Sequence, residues 1–74
     1  MNLIYALVLQ VCITGVAGSC YDPIKVATHK THNECAIDGY TKALEMHKRV
    51  VVNLPANIPV AVKFWCAKEP RNDI

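Results

Sequence analysis

Hydrophobic and polar positions divide the chain into four stretches. From Leu3 to Ala17 nearly every position is apolar, interrupted only by Gln10, Thr14 and Gly15. From Pro23 to His29, Ile24, Val26 and Thr28 share one side of an extended run, which predicts a short strand. From His32 to Val51 the apolar positions return at helical spacing. From Ile58 to Ala67 they alternate again, with Ile58, Val60, Val62, Phe64 and Cys66 set against Pro59, Ala61, Lys63, Trp65 and Ala67. Period two over residues rich in β-branched and aromatic types predicts a strand whose even-numbered side chains face the core. The polar tail from Glu69 to Ile74, which contains Pro70, is predicted to fray.

The helix has a start and a stop. Thr31-His32-Asn33-Glu34 has the spacing of a capping box, in which hydroxyl and carboxylate each satisfy an otherwise orphan amide. With Cys35 set at zero, Cys35, Met46, Val50, Ala43, Ala36, Tyr40, Val51 and Leu44 fill an arc of about 180°. Lys48, Glu34, Glu45, Asp38, Arg49 and Lys42 occupy the arc from about 220° to 340°, and Ile37 lies at the boundary. The whole apolar arc is therefore predicted to be buried, with His47 at the core edge and Gly39 placed where a strand can approach closely. The Val50-Val51-Val52 run weakens the helix, and Asn53 with Pro55 ends it.

Charge separates the first stretch from the rest. Residues 1–19 contain no Asp, Glu, Lys or Arg and close in the small residues Gly15, Ala17, Gly18 and Ser19. As a helix the apolar run would measure about 22 Å, short of a roughly 30 Å hydrocarbon core. A cleavable export signal over 1–19, followed by a domain over 20–74, is the reading this supports. Val16-Ala17-Gly18 and Ala17-Gly18-Ser19 both satisfy the small-residue rule for cleavage. Ala17-Gly18-Ser19-Cys20 also resembles a bacterial lipobox, although Ala stands at its first position and no basic residue precedes the apolar run. That resemblance implies lipidation of Cys20 and, with Tyr21 next, an outer-membrane anchor.

A domain of about 55 residues buries too little apolar surface to outweigh chain entropy without a staple. Removal of the leader discards Cys12 and leaves Cys20, Cys35 and Cys66. If strand, helix and strand form a crossover, the first helical turn and the end of the last strand meet at one end of the fold. Cys35 and Cys66 sit there, each on a core-facing side, so they are the expected disulfide, worth about 3–4 kcal/mol for a loop of their separation. Cys20 is left odd. The predicted fold is thus α+β, a small β-α-β mini-domain stapled by one disulfide, of the kind that persists in an oxidising compartment.

The remaining chemistry is sparse. A net charge of +2 with one adjacent basic pair, Lys48-Arg49, argues against nucleic-acid binding. His29, His32 and Cys35 have a superficially ligand-like spacing but read as surface residues around a helix cap, so no metal or cofactor is expected. The only serine is Ser19, and no carboxylate is placed beside a histidine by any motif, so no enzyme is expected. Trp65 and Lys63 share the outer face of the last strand and form a candidate partner-binding patch.

The leader, the first mature Cys20, the segment Asn33-Glu34-Cys35-Ala36-Ile37-Asp38-Gly39-Tyr40 and the strand Val62-Lys63-Phe64-Trp65-Cys66 together resemble the short signal-bearing orphan proteins of bacteriophage and bacterial genomes. The resemblance implies an envelope or periplasmic setting. The expected function is that of an exported, non-enzymatic binding or structural protein with a protein partner in the envelope or outside the cell. The alternative is an envelope lipoprotein tethered through Cys20, for which the resemblance suggests the phage type that masks a receptor. Membrane contact is expected only if Cys20 is lipidated or the leader is retained.

Overall fold

A computed structural model describes residues 3–13 and 20–70 of the chain. Its elements are β1 (Leu3–Ile13), β2 (Ile24–His29), α1 (His32–Val51) and β3 (Val60–Pro70). The three strands form one sheet in the order β2-β1-β3, and β1 is antiparallel to both neighbours. The architecture is a small α+β fold with a single helix on one face of an antiparallel sheet.

The expected strand-helix-strand crossover is present in altered form. β2 and β3 run parallel to each other, as that reading required, but they are not neighbours in the sheet. β1 lies between them. It is built from the apolar stretch assigned to a removable leader, and it supplies Ala6, Leu7, Leu9 and Cys12, four of the five buried apolar residues among the described ones, the fifth being Cys35. Its helix-facing side is covered by α1, and on the other face Ala6 and Cys12 are buried while Val8 and Gln10 are only partly covered. A chain beginning at Cys20 lacks this strand, and this sheet exists only where residues 3–13 are retained.

Alternation along β1 sends Tyr5, Leu7, Leu9 and Val11 toward α1, opposite Lys68, Cys66, Phe64 and Val62 of β3. The even-numbered face of β3 is therefore the helix-facing one. The strand extends through Glu69 and Pro70, which pair with Ile4 and Leu3, so these two residues are not part of a frayed tail. Residues 71–74 lie outside the described residues. On the other side of β1 the register with β2 shifts between Leu7 and Val8. This bulge resets the alternation of β2. Ile24 stays on the helix side opposite Leu9, whereas Thr28, opposite Ala6, moves to the outer face and His29, opposite Tyr5, to the inner one.

α1 spans the expected residues, with Thr31 as its N-cap. The Thr31 hydroxyl accepts from the Glu34 amide at 3.1 Å and donates to the Glu34 carboxylate at 3.0 Å. Only half of the capping box forms, since the carboxylate takes the hydroxyl proton instead of a backbone amide. The buried arc is also narrower than the apolar one. Cys35 and Gly39 are buried and Ala43, Met46 and Val50 are partly covered, while Ile37, Tyr40, Leu44 and Val51 are exposed. A lone helix on a flat sheet covers little more than a third of its circumference, too little for an apolar arc of about half a turn.

Two disulfides staple the fold, where one was expected. Cys35 is joined to Cys66, with Cα atoms 6.2 Å apart, tying the first turn of α1 to β3. Cys12 is joined to Cys20, closing the connection from the end of β1, and the Tyr21 amide donates to the Val11 carbonyl at 2.9 Å beside it. All four cysteines are paired, so the odd cysteine disappears once Cys12 is counted with the domain. Such bridges belong to an oxidising, non-cytoplasmic environment. No helix among the described residues is long and apolar enough to cross a membrane.

Candidate functional site

At the start of α1 the helix sits tightly on the sheet. Gly39 carries no side chain, and a Cβ there would run into the Phe64 ring. Tyr40 packs edge-on against the same ring with centroids 4.8 Å apart. Cys35 is fully buried and bridged to Cys66, which stands opposite Leu7.

Toward its C-terminus the helix leaves β2 uncovered. α1 packs chiefly on β3 and β1, and only slightly on β2. The result is an open cleft of about 400 Å³ whose floor is Leu9, Val11 and Ile13 of β1 and Ile24 and Val26 of β2. Met46 and Val50 of α1 form one wall, with Leu54 from the turn after the helix. Tyr21, Asp22 and Asn53 are its polar or amphipathic lining residues. A neighbouring hollow shares Leu9, Val26 and Met46 and carries Lys42, Glu45 and Arg49, so one side of the apolar floor meets a charged rim. The bulge in β2 matters here, because it places Ile24 and Val26 on the floor without carrying Thr28 in after them.

A polar cluster closes the other end of the α1–β2 seam. Asp38 Oδ2 lies 2.8 Å from His29 Nε2, and Lys42 Nζ donates to Asp38 Oδ1 at 2.7 Å. The hydrogen bond from Lys42, then that from His29, holds the Asp38 carboxyl below its ordinary value against a smaller opposing effect of burial. The cluster ties α1 to β2 in the way a catalytic carboxylate-histidine pair is held, yet its third member is a lysine that serves as counter-ion.

The residues singled out from sequence are dispersed. His32 stacks edge-on against Tyr5 at 5.7 Å, and His29 is held by Asp38, so neither joins Cys35, whose sulfur is in a disulfide. Among the described residues no group of three or more His, Cys, Asp or Glu is placed to hold a metal ion. Lys63 and Trp65 lie on the outer face opposite Gln10 and Val8, with Trp65 40% exposed. On the same face Lys25 and Glu69 make an ion pair at 3.0 Å that passes from β2 to β3 across β1, at the level of the fully buried Ala6. Cys20 is bonded to Cys12, and lipidation at Cys20 would require that sulfur to be free. The rest of the lipobox-like segment, residues 17–19, lies outside the described residues.

The cleft was not foreseen from the chain, because three of its five floor residues come from the stretch read as a leader. Its signal was the β-branched and aromatic content of Ile4, Tyr5, Val8, Val11 and Ile13, which favours strand. The chain matches no protein-family model, and no curated protein or solved structure gives a significant match.

Proposed function

We propose that the chain is a small binding protein of an oxidising compartment outside the cytoplasm, and that it works through the apolar cleft between α1 and β2. The observation that carries this reading is the cleft itself, an open apolar hollow of about 400 Å³ on a frame fixed by two disulfides. Preformed, mostly apolar concavities with a few polar groups at the edge are the usual shape of ligand sites. A frame stapled on two sides keeps such a hollow open without collapse onto its floor.

The reading concerns the chain that keeps β1, since Leu9, Val11 and Ile13 are part of the floor. It is non-enzymatic, with affinity supplied by burial of apolar surface and orientation by Asp22, Asn53 and the charged rim. The tethered alternative through Cys20 competes with the Cys12–Cys20 bridge for one sulfur atom.

The test is titration of the full-length oxidised protein with the dye ANS, followed by fluorescence and by NMR shift mapping. Saturable binding with shifts confined to Leu9, Val26, Met46 and Val50 is the expected result. Shifts spread elsewhere, or none, overturn the cleft as the site. Intact-mass measurement of the protein recovered from cells completes the test: a mass beginning near Cys20 shows that the form proposed here is not the one the cell keeps.

A further inference from the structure

We propose that two copies of the chain form a two-fold dimer in which β3 pairs antiparallel with β3 of the second copy while the two α1 helices pack side by side. The proposal concerns the flank opposite the cleft and stands apart from the cleft reading.

Two unsatisfied features lie on that flank. β3 is an edge strand of eleven residues, and among the described residues nothing pairs with its outer side. Long, apolar, unpaired edges template the addition of another strand. Above it α1 presents a short apolar stripe of Tyr40, 71% exposed, and Leu44, 57% exposed. The stripe lies on the β3 side, because Tyr40 packs against Phe64, whereas Asp38 on the opposite flank bonds to His29 of β2. Bare edge and bare stripe therefore face the same way.

One symmetry operation satisfies both. A two-fold axis perpendicular to the sheet extends it to six strands and keeps both helices on the same face. Strands are about 4.8 Å apart, and α1 lies over β1 and β3, so each helix stands about one strand spacing from the axis. The two helices are then about 10 Å apart, the normal packing distance. They run antiparallel, which opposes their dipoles. A register centred on Phe64, the level at which Tyr40 packs, sets Lys63 of each copy opposite Trp65 of the other, a cation beside an indole twice over. A standard interface takes about 800 Å² from each partner, about one seventh of the 5415 Å² the chain exposes. A flank two layers deep and about 36 Å long is of that size. A second copy is the occupant whose own surface has both an edge strand and an apolar helix stripe in matching positions.

Analytical ultracentrifugation of the full-length oxidised protein, with hydrogen exchange across a concentration series, tests this. Expected is sedimentation at twice the 8.2 kDa chain mass, with amides of Val62–Ala67 gaining protection as concentration rises. Leu44→Lys, at an exposed position, should return the monomer with an unchanged melting curve at low concentration. A wild-type chain that stays monomeric up to about 1 mM overturns the proposal. So does a dimer that survives Leu44→Lys, or one that protects β2 and leaves β3 unchanged.

Discussion

The two halves of α1 meet the same sheet and differ in almost every respect. Around Cys35 and Gly39 the helix is pressed onto β1 and β3 by a disulfide, by a missing side chain and by the Phe64 ring that fills the space. Around Met46 and Val50 it stands over an open hollow, although these side chains are larger and as apolar. Apolar character alone does not close a two-layer fold. What closes the first half is close backbone approach at glycine and a covalent tie; the second half has neither, and β2 is too short and too far to the side to meet it.

This contrast can be broken most severely at the disulfide. Replacing Cys35 and Cys66 together by Ser should cost about 3–4 kcal/mol, against about 2–3 for the Cys12/Cys20 pair, whose loop is shorter. Urea melts of the two double variants rank them, and equal losses would show that the closed end does not depend on its bridge. Gly39→Ala comes next. The added methyl must displace the Phe64 ring, and overpacking of this kind costs about 1–3 kcal/mol. A neutral Gly39→Ala in thermal denaturation would mean that helix and strand are further apart than described.

Met46→Ala sharpens the comparison from the open side. A buried Met truncated to Ala costs about 2–5 kcal/mol, but Met46 already faces a hollow, so a loss below about 1 kcal/mol is expected. A loss in the full range would show the cleft to be closed in solution.

The smallest effect is electrostatic. Because Lys42 and His29 lower the folded-state pKa of Asp38 below its ordinary 3.8, the unfolded chain takes up the proton first as pH falls. The contribution of Asp38 is therefore present above that ordinary value and disappears as pH drops through the lower, folded one. Asp38→Asn should remove this part of the acid limb of stability and leave its slope near neutrality unchanged, which melting temperatures measured across the acid range will show.

Much of this was readable from residues in line. The helix from His32 to Val51 follows from its cap, its 3.6-residue period and its terminators, all local features. β3 follows from period two, and the Cys35/Cys66 pairing from placing one residue on the first helical turn and the other near the strand end. β1 was not readable in the same way. An apolar run of this length, broken only by Gln10 within β1, suits an export leader and a central strand equally, because hydropathy records avoidance of water without saying whether lipid, translocation machinery or a packed protein layer provides it. The parity of the cysteines was the clue that favoured a strand: four pair completely, and three cannot.

The sequence by itself determined the local conformations of α1 and β3 and the staple at the start of the helix, since propensity and capping act within a few residues and periodicity sets which side chains share a face. Only the tertiary structure decided which apolar side chains are covered. Tyr40, Leu44 and Val51 read as core on a helical projection and are exposed, and Val26 and Ile24 become the floor of a cleft through a bulge that no single-strand pattern records. Burial depends on how many neighbours a face meets, and one helix lying over two strands of a three-stranded sheet meets too few to cover the third strand or its own outer flank.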